Sequence, residues 1–134
     1  MLVIGLGRFG AATAGQLDRQ DREVLVVDTD PGLVQKWADR VTHAVQADAR
    51  SMEALRQIGA EEFQIAVLAT GASVEASVLI AANLVDLGIP QIWAKAISLS
   101  HGKILERIGV NHVIYPEREA GERIAHLLSG SMLD

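Results

Sequence analysis

The segment Gly5-Leu6-Gly7-Arg8-Phe9-Gly10 directly follows the apolar run Leu2-Val3-Ile4. Few sequence features restrict a fold so strongly. A buried strand that runs into GxGxxG and then into a helix is the phosphate-facing turn of a nucleotide-binding βαβ unit. Gly5 permits the tight turn, Gly7 admits a phosphate to the backbone with no Cβ in the way, and Gly10 lets the helix lie close on the strand. The helix start offers unpaired N–H groups and the positive end of the helix dipole. Glycines alone also make ordinary turns. The second half of the fingerprint is Asp28, which ends the next apolar run, Glu23-Val24-Leu25-Val26-Val27, about 20 residues on, where the pattern wants an acid. A carboxylate there accepts from both ribose hydroxyls and repels a 2′-phosphate.

The rest of the chain alternates strand and helix. Strands are expected at Leu2–Ile4, Val24–Val27, His43–Ala47, Ile65–Ala69, Ile92–Ala94 and Val113–Tyr115. Helices are expected over Ala11–Arg19, from Pro31 to Ala38, from a Ser51 cap to Ile58, from a Ser73 cap toward Gly88, from Ser100 to Ile108, and from Pro116 to about Leu128. Ile65–Ala69 is almost purely apolar, as a strand covered on both faces requires. Six strands, each followed by a helix through right-handed crossovers, give an α/β fold. It is a Rossmann doubly wound parallel sheet of order 3-2-1-4-5-6 with helices on both faces. Ligand is expected at the carboxyl ends of the strands, near the switch between strands 1 and 4.

Composition narrows the class. The 134 residues suffice for one domain with a real core, here aliphatic, because aromatic content is 4% against 49% hydrophobic. A net charge of −5 argues against nucleic acid as a general partner, so an anion site must be local. The absence of cysteine excludes disulfides, thiolate metal sites and a cysteine nucleophile, and is compatible with the cytosol. No signal peptide is expected ahead of the first strand. The longest apolar stretch, Val74 to Leu87, contains Glu75, Asn83 and Asp86 and is too short and polar to span a bilayer. The abrupt start on a strand and the Ser-Gly-Ser-Met-Leu-Asp ending read as a domain cut from a longer protein.

Other strand ends add to the candidate site. Asp48, followed by Ala49, closes strand 3, where a carboxylate can accept from an adenine amino group. Thr29 follows Asp28. Thr70-Gly71 closes strand 4, and Gly71 permits close backbone approach. Lys95 closes strand 5 as a point charge for phosphates, and Glu117 follows strand 6. Each, alone, also reads as a solvated strand-end residue. Arg8 stands out: a guanidinium inside the glycine turn, flanked by Phe9, can address a terminal phosphate or pair with one of 17 acidic residues. Catalytic groups are not evident. The four histidines are scattered, and neither a metal-ligand spacing nor a Ser-His-Asp arrangement is suggested. A ligand-sensing module fits better than the competing reading, the cofactor half of an NAD-dependent dehydrogenase.

The runs Val3-Ile4-Gly5-Leu6-Gly7-Arg8-Phe9-Gly10, Val26-Val27-Asp28, Thr42-His43-Ala44-Val45, Ile92-Trp93-Ala94-Lys95-Ala96 and Ile114-Tyr115-Pro116-Glu117 resemble the RCK N-terminal, or TrkA-N, domain. The resemblance covers essentially the whole chain and is nearest to cytosolic regulatory subunits of bacterial Ktr potassium transporters. It implies a non-enzymatic domain that binds ATP, ADP or NAD(H) and controls K⁺ flux. It further implies dimers formed through the last strand and helix, an octameric ring, and an integral-membrane K⁺ pore as partner at the inner face of the membrane. By the same resemblance Asp28 is the ribose ligand, Asp48 lies on the adenine side, Lys95 lies near the phosphates, and Arg8 meets the γ-phosphate. Glu117 corresponds to a glutamate that helps hold Mg²⁺ or Ca²⁺ at the dimer interface. Gln46-Ala47-Asp48 departs from the pattern, since many relatives carry Gly before the Asp. The C-terminal TrkA-C lobe that normally follows is not expected within this chain.

Overall fold

The first strand, β1 (Leu2–Ile4), lies in the middle of the sheet because all three of its residues are apolar and can be buried on both faces. The structure is a computed structural model that describes residues 1–70 and 73–133. β1 leads into α1 (Arg8–Arg19), and the alternation continues through β2 (Leu25–Asp28), α2 (Pro31–Trp37), β3 (His43–Gln46), α3 (Met52–Gln57) and a single 3₁₀ turn at Ala60–Glu62. β4 (Ile65–Leu68), α4 (Val74–Asp86), β5 (Gln91–Lys95), α5 (Leu99–Ile108), β6 (His112–Ile114) and α6 (Pro116–Leu133) complete the described chain. The sheet is entirely parallel, with the expected order β3-β2-β1-β4-β5-β6. Register is continuous across its centre: Ile4 stands beside Val27 on one side and Leu68 on the other.

Alternation along the strands divides the core into two layers. Leu2, Ile4, Val27, Leu68 and Ile92 point to one face, against Leu55 of α3, Ile80 and Leu84 of α4 and Leu105 of α5. Val3, Val26 and Val67 point to the other, against Ala14 of α1 and Trp37 of α2. Each fully buried aliphatic side chain contributes about 1.5–3 kcal/mol. Four helices are fixed at their starts by a side-chain oxygen accepting from a backbone N–H: Asp30 for α2, Ser51 for α3, Ser73 for α4 and Ser98 for α5. α1 differs. It starts on Gly7, with no side-chain cap.

Most boundaries fall within one residue of the sequence reading, and two helix ends differ by more. α1 begins at Arg8 rather than Ala11, so Arg8, Phe9 and Gly10 are its first turn and only Gly5–Gly7 is loop. Nothing in Arg8-Phe9 resists helix, and Gly7, extended, is where the helix can start. α5 is capped by Ser98 and begins at Leu99, one residue before the expected start at Ser100. α6 continues to Leu133 rather than ending near Leu128. Its side chains from Glu117 to Gly130 are all exposed, including Ile124, Leu127 and Leu128.

One buried polar couple joins two helices of the first layer. His101 of α5 and Ser77 of α4 are almost wholly buried, with His101 Nε2 2.9 Å from Ser77 Oγ. The Ile97 N–H donates to His101 Nδ1 at 3.1 Å, which places the ring proton on Nε2, facing Ser77. A protonated ring would turn a donor toward the Ile97 donor. Burial accordingly lowers the titration of His101 below its ordinary value of 6.5. The folded chain therefore takes up this proton less readily than the unfolded chain. The stability tied to His101 is fully present above the unfolded value of 6.5 and is lost as pH falls toward the lower folded value. Thermal melts between about pH 7 and about pH 5 should move to lower temperature for the wild type and show a shallower pH slope for His101→Gln. Equal slopes in the two proteins would contradict this assignment.

Candidate functional site

The carboxyl ends of β1 to β4 converge on a cleft of about 220 Å³. Its apolar wall includes Ile4, Val27, Ala47 and Ile80; its polar rim includes Asp28, Thr29, Asp48, Arg50, Thr70 and Ser73. The sequence reading placed Gly5, Asp28, Thr29, Asp48, Ala49 and Thr70 here, and the fold brings all six together. Gly71 lies outside the described residues.

Gly5 makes the turn at φ +99°, a conformation that an L side chain resists. A Cβ there would also come within 2.8 Å of Thr70 Cγ2, so the turn after β1 lies directly against the segment leaving β4. Gly10 is equally constrained: a Cβ on it would collide with the Gly5 carbonyl and lie 3.0 Å from the Ala69 Cβ. These contacts bring α1 against the turn, the geometry expected of the first and third glycines. Space beside Gly7 is open, with nothing within 4 Å of a Cβ position. A phosphate therefore has room at an uncapped helix start. The Thr70 hydroxyl oxygen is buried beside this turn without a hydrogen-bond partner among the described residues.

Asp28 does more than the sequence suggests. Its Oδ2 accepts the Leu6 N–H at 2.7 Å and its Oδ1 accepts the Asp30 N–H at 2.8 Å. The carboxylate thus braces the glycine turn against the end of β2. A carboxylate oxygen has two lone pairs, so each retains acceptor capacity for a ribose hydroxyl. Asp48 is engaged differently. Arg50 Nε stands 3.0 and 3.2 Å from its two oxygens, and Arg50 Nη2 is 2.8 Å from Oδ2. The guanidinium holds the Asp48 carboxyl below its usual titration range. Sequence reasoning missed Arg50. The available signal was a base two residues after a strand-end acid, in Asp48-Ala49-Arg50.

The remaining candidates stand elsewhere. Arg8 is exposed on the first turn of α1 and takes part in neither ion pair found among the described residues, Asp48–Arg50 and Arg118–Glu122. Phe9 is half-buried and packs with the layer containing Val3 and Val67. Lys95 and Glu117 share a second, larger cleft of about 390 Å³, at the carboxyl ends of β5 and β6, with Tyr115 and Arg118. Glu117 is exposed there, and among the described residues no group of three or more acids or histidines could hold a metal ion.

Comparison with known proteins agrees with this geometry. The TrkA-N domain model matches residues 1–116. The chain belongs to the TrkA-N domain family. It is 42% identical over 127 residues to Ktr system potassium uptake protein A of Bacillus subtilis, covering 95% of this chain and 57% of that protein. It is 37% identical to Ktr system potassium uptake protein C of the same organism, covering 98% of this chain and 60% of that protein. The chain thus spans a little over half the length of these relatives. Among solved structures, the TrkA-N domain of the Escherichia coli inner membrane protein ybaL superposes with a TM-score of 0.85 at 23% identity, covering 95% of this chain and 94% of that one. The Shewanella denitrificans Kef C-terminal domain in its AMP-bound form gives 0.76 at 23%, covering 95% and 80%. GsuK bound to ADP gives 0.74 at 15%, covering 84% and 30%. These three are likenesses of fold.

The double role of Asp28 has a measurable consequence. Asp28→Asn leaves one acceptor oxygen where two N–H groups now donate, so the ligand-free domain should lose about 1 kcal/mol of stability in urea unfolding. A residue that only met ribose would leave the ligand-free stability unchanged.

Proposed function

We propose that this domain is a nucleotide sensor in a regulatory subunit of a K⁺ uptake system, and that it performs no catalysis. The observation that carries the reading is the cleft at the β1–β4 switch point, where an open, uncapped helix start adjoins a braced strand-end aspartate. An anion fits the first and a ribose fits the second. Support comes from the Ktr names of relatives over nearly all of this chain, and from fold neighbours described as bound to ADP and AMP. ATP and ADP are the proposed ligands, and NAD or NADH would use the same ribose contact. The nucleotide state would bias ring shape and, through it, a membrane pore.

Arg8 and Lys95 are the proposed phosphate-side cations. Arg8 is exposed and in neither ion pair among the described residues, as a residue reserved for a ligand, its own or a neighbouring subunit's, would be. Two triphosphates facing each other across a dimer repel unless counter-charge lies between them. Glu117, contributed by both copies, would help to hold Mg²⁺ or Ca²⁺ there, since both ions favour carboxylate and phosphate oxygens. Dimers form through β6 and α6 in this reading. The stripe of Ala120, Ile124, Leu127 and Leu128 is exposed on α6, so this chain does not cover it with its own sheet. An octameric ring of such dimers would dock on the pore at the cytoplasmic membrane face. No described helix is long and apolar enough to cross a membrane.

The deciding experiment is a thermal-shift titration with ATP, ADP, NADH and NADPH, because a ligand of the native state raises stability with its concentration. ATP and ADP should stabilise the domain and NADPH should not. Arg8→Ala should weaken ATP more than ADP, and Glu117→Gln should remove the divalent-dependent part of the ATP effect alone. Equal losses with ATP and ADP would remove both roles. Light scattering should return twice the 14.4 kDa chain mass at micromolar concentration. A monomer would refute the proposed α6 interface.

A further inference from the structure

The Asp48–Arg50 pair occupies the rim of the cleft in a way that the ribose and phosphate contacts do not use. Arg50 is held unusually well for an exposed arginine. Its Nε and Nη2 edge is spent on Asp48, at 2.8–3.2 Å. Its backbone N–H donates to Asp48 Oδ1 at 3.0 Å. From α4, the Asn83 side-chain amide donates to the Ala49 and Arg50 carbonyls at 3.1 and 2.9 Å. The turn is thereby tied to the helix across the cleft, and the guanidinium plane is fixed before any ligand arrives. Among the described residues no aromatic ring lies over the guanidinium and Asp48 is its one ion-pair partner, with the Glu75 charge acting on it from α4. The wall beside it is apolar, built from Val27, Ala47 and Ile80.

A flat cation with no aromatic ring over it, beside an apolar slot, is suited to a flat π-system. Guanidinium groups stack on aromatic faces, and fixing the group in advance lowers the ordering cost on binding. Asp48, in contrast, already accepts from the Arg50 guanidinium and backbone N–H, so a base amino group would have to share its carboxylate with Arg50. We propose that Arg50 is the base-recognition residue of the cleft, stacking its guanidinium on the purine face, and that Asp48 is the positioning residue that holds Arg50 in place. This rests on the nucleotide reading of the cleft and adds to it how the base is read, by its face rather than by its edge.

The test is isothermal titration of the wild-type chain, Arg50→Ala and Arg50→Lys with adenosine, AMP, ADP and ATP, with ligand-free melts as a folding control. Arg50 is exposed, so both variants should melt near the wild type. The expected result is a loss of about tenfold in affinity for Arg50→Ala, similar for all four ligands, because each carries the same base. Arg50→Lys should fail to restore it, since an ammonium has the charge but not the plane. Unchanged affinity in Arg50→Ala, a loss that grows with phosphate number, or full rescue by lysine would overturn the inference while the nucleotide reading stands. A wild-type chain that binds none of the four ligands would overturn the nucleotide reading itself, and the inference with it.

Discussion

The Asp28 carboxylate is the interaction on which the site depends. One of its oxygens holds the backbone of Leu6 and the other holds the backbone of Asp30. The turn after β1 is otherwise held by the Gly5 N–H donating to the Val27 carbonyl, by contact with Thr70 and by contact with α1. Charge-assisted hydrogen bonds to backbone N–H groups are stronger than neutral ones and define direction as well as distance. Two segments that approach from different strands, the glycine turn and the loop entering α2, are thus registered to one side chain at the end of β2. The packing of Gly10 against the Gly5 carbonyl completes the constraint from the helix side. A ribose contact made by such a group is made by something already in position.

The two clefts divide the carboxyl edge of the sheet between them. One is bounded by β1 to β4, the other by β5, β6 and the start of α6. The first carries acids, Asp28 and Asp48, one of them neutralised by Arg50. The second is lined by Lys95 and by both signs of charge in Glu117 and Arg118. In a chain of net charge −5 an anion is welcome only where cations are concentrated, and the glycine turn with Arg8 lies on the same carboxyl edge.

Much of the fold was legible because each constraint is written locally. Parallel buried strands appear as short apolar runs, as at Ile65–Leu68, and helix starts appear as Pro31 in the first turn of α2 and as Ser51 and Ser73 ahead of α3 and α4. Gly5, Gly10 and Asp28 were legible for the same reason. What was not legible required the fold to be closed first. Ser100 read as the first residue of α5, and only the geometry after β5 makes Ser98 the cap. The pairing of Arg50 with Asp48 depends on side-chain direction in a turn, so the sequence shows the acid but not the guanidinium that donates to it. His101 looked like one of four scattered histidines until α4 and α5 enclosed it with Ser77. The stripe on α6 was visible as periodicity, but periodicity does not say whether the covering surface lies in the same chain.

α6 has one more geometric consequence. At a rise of about 1.5 Å per residue its 18 residues, Pro116–Leu133, make a rod about 27 Å long. Its root, at Pro116 and Glu117, forms the lip of the second cleft. A rod pivoting at that root acts as a lever: a tilt of about 10° displaces its far end by about 5 Å. Atomic adjustments around Lys95 and Glu117 that produced such a tilt would be magnified at the tip to nearly the spacing of one helical turn.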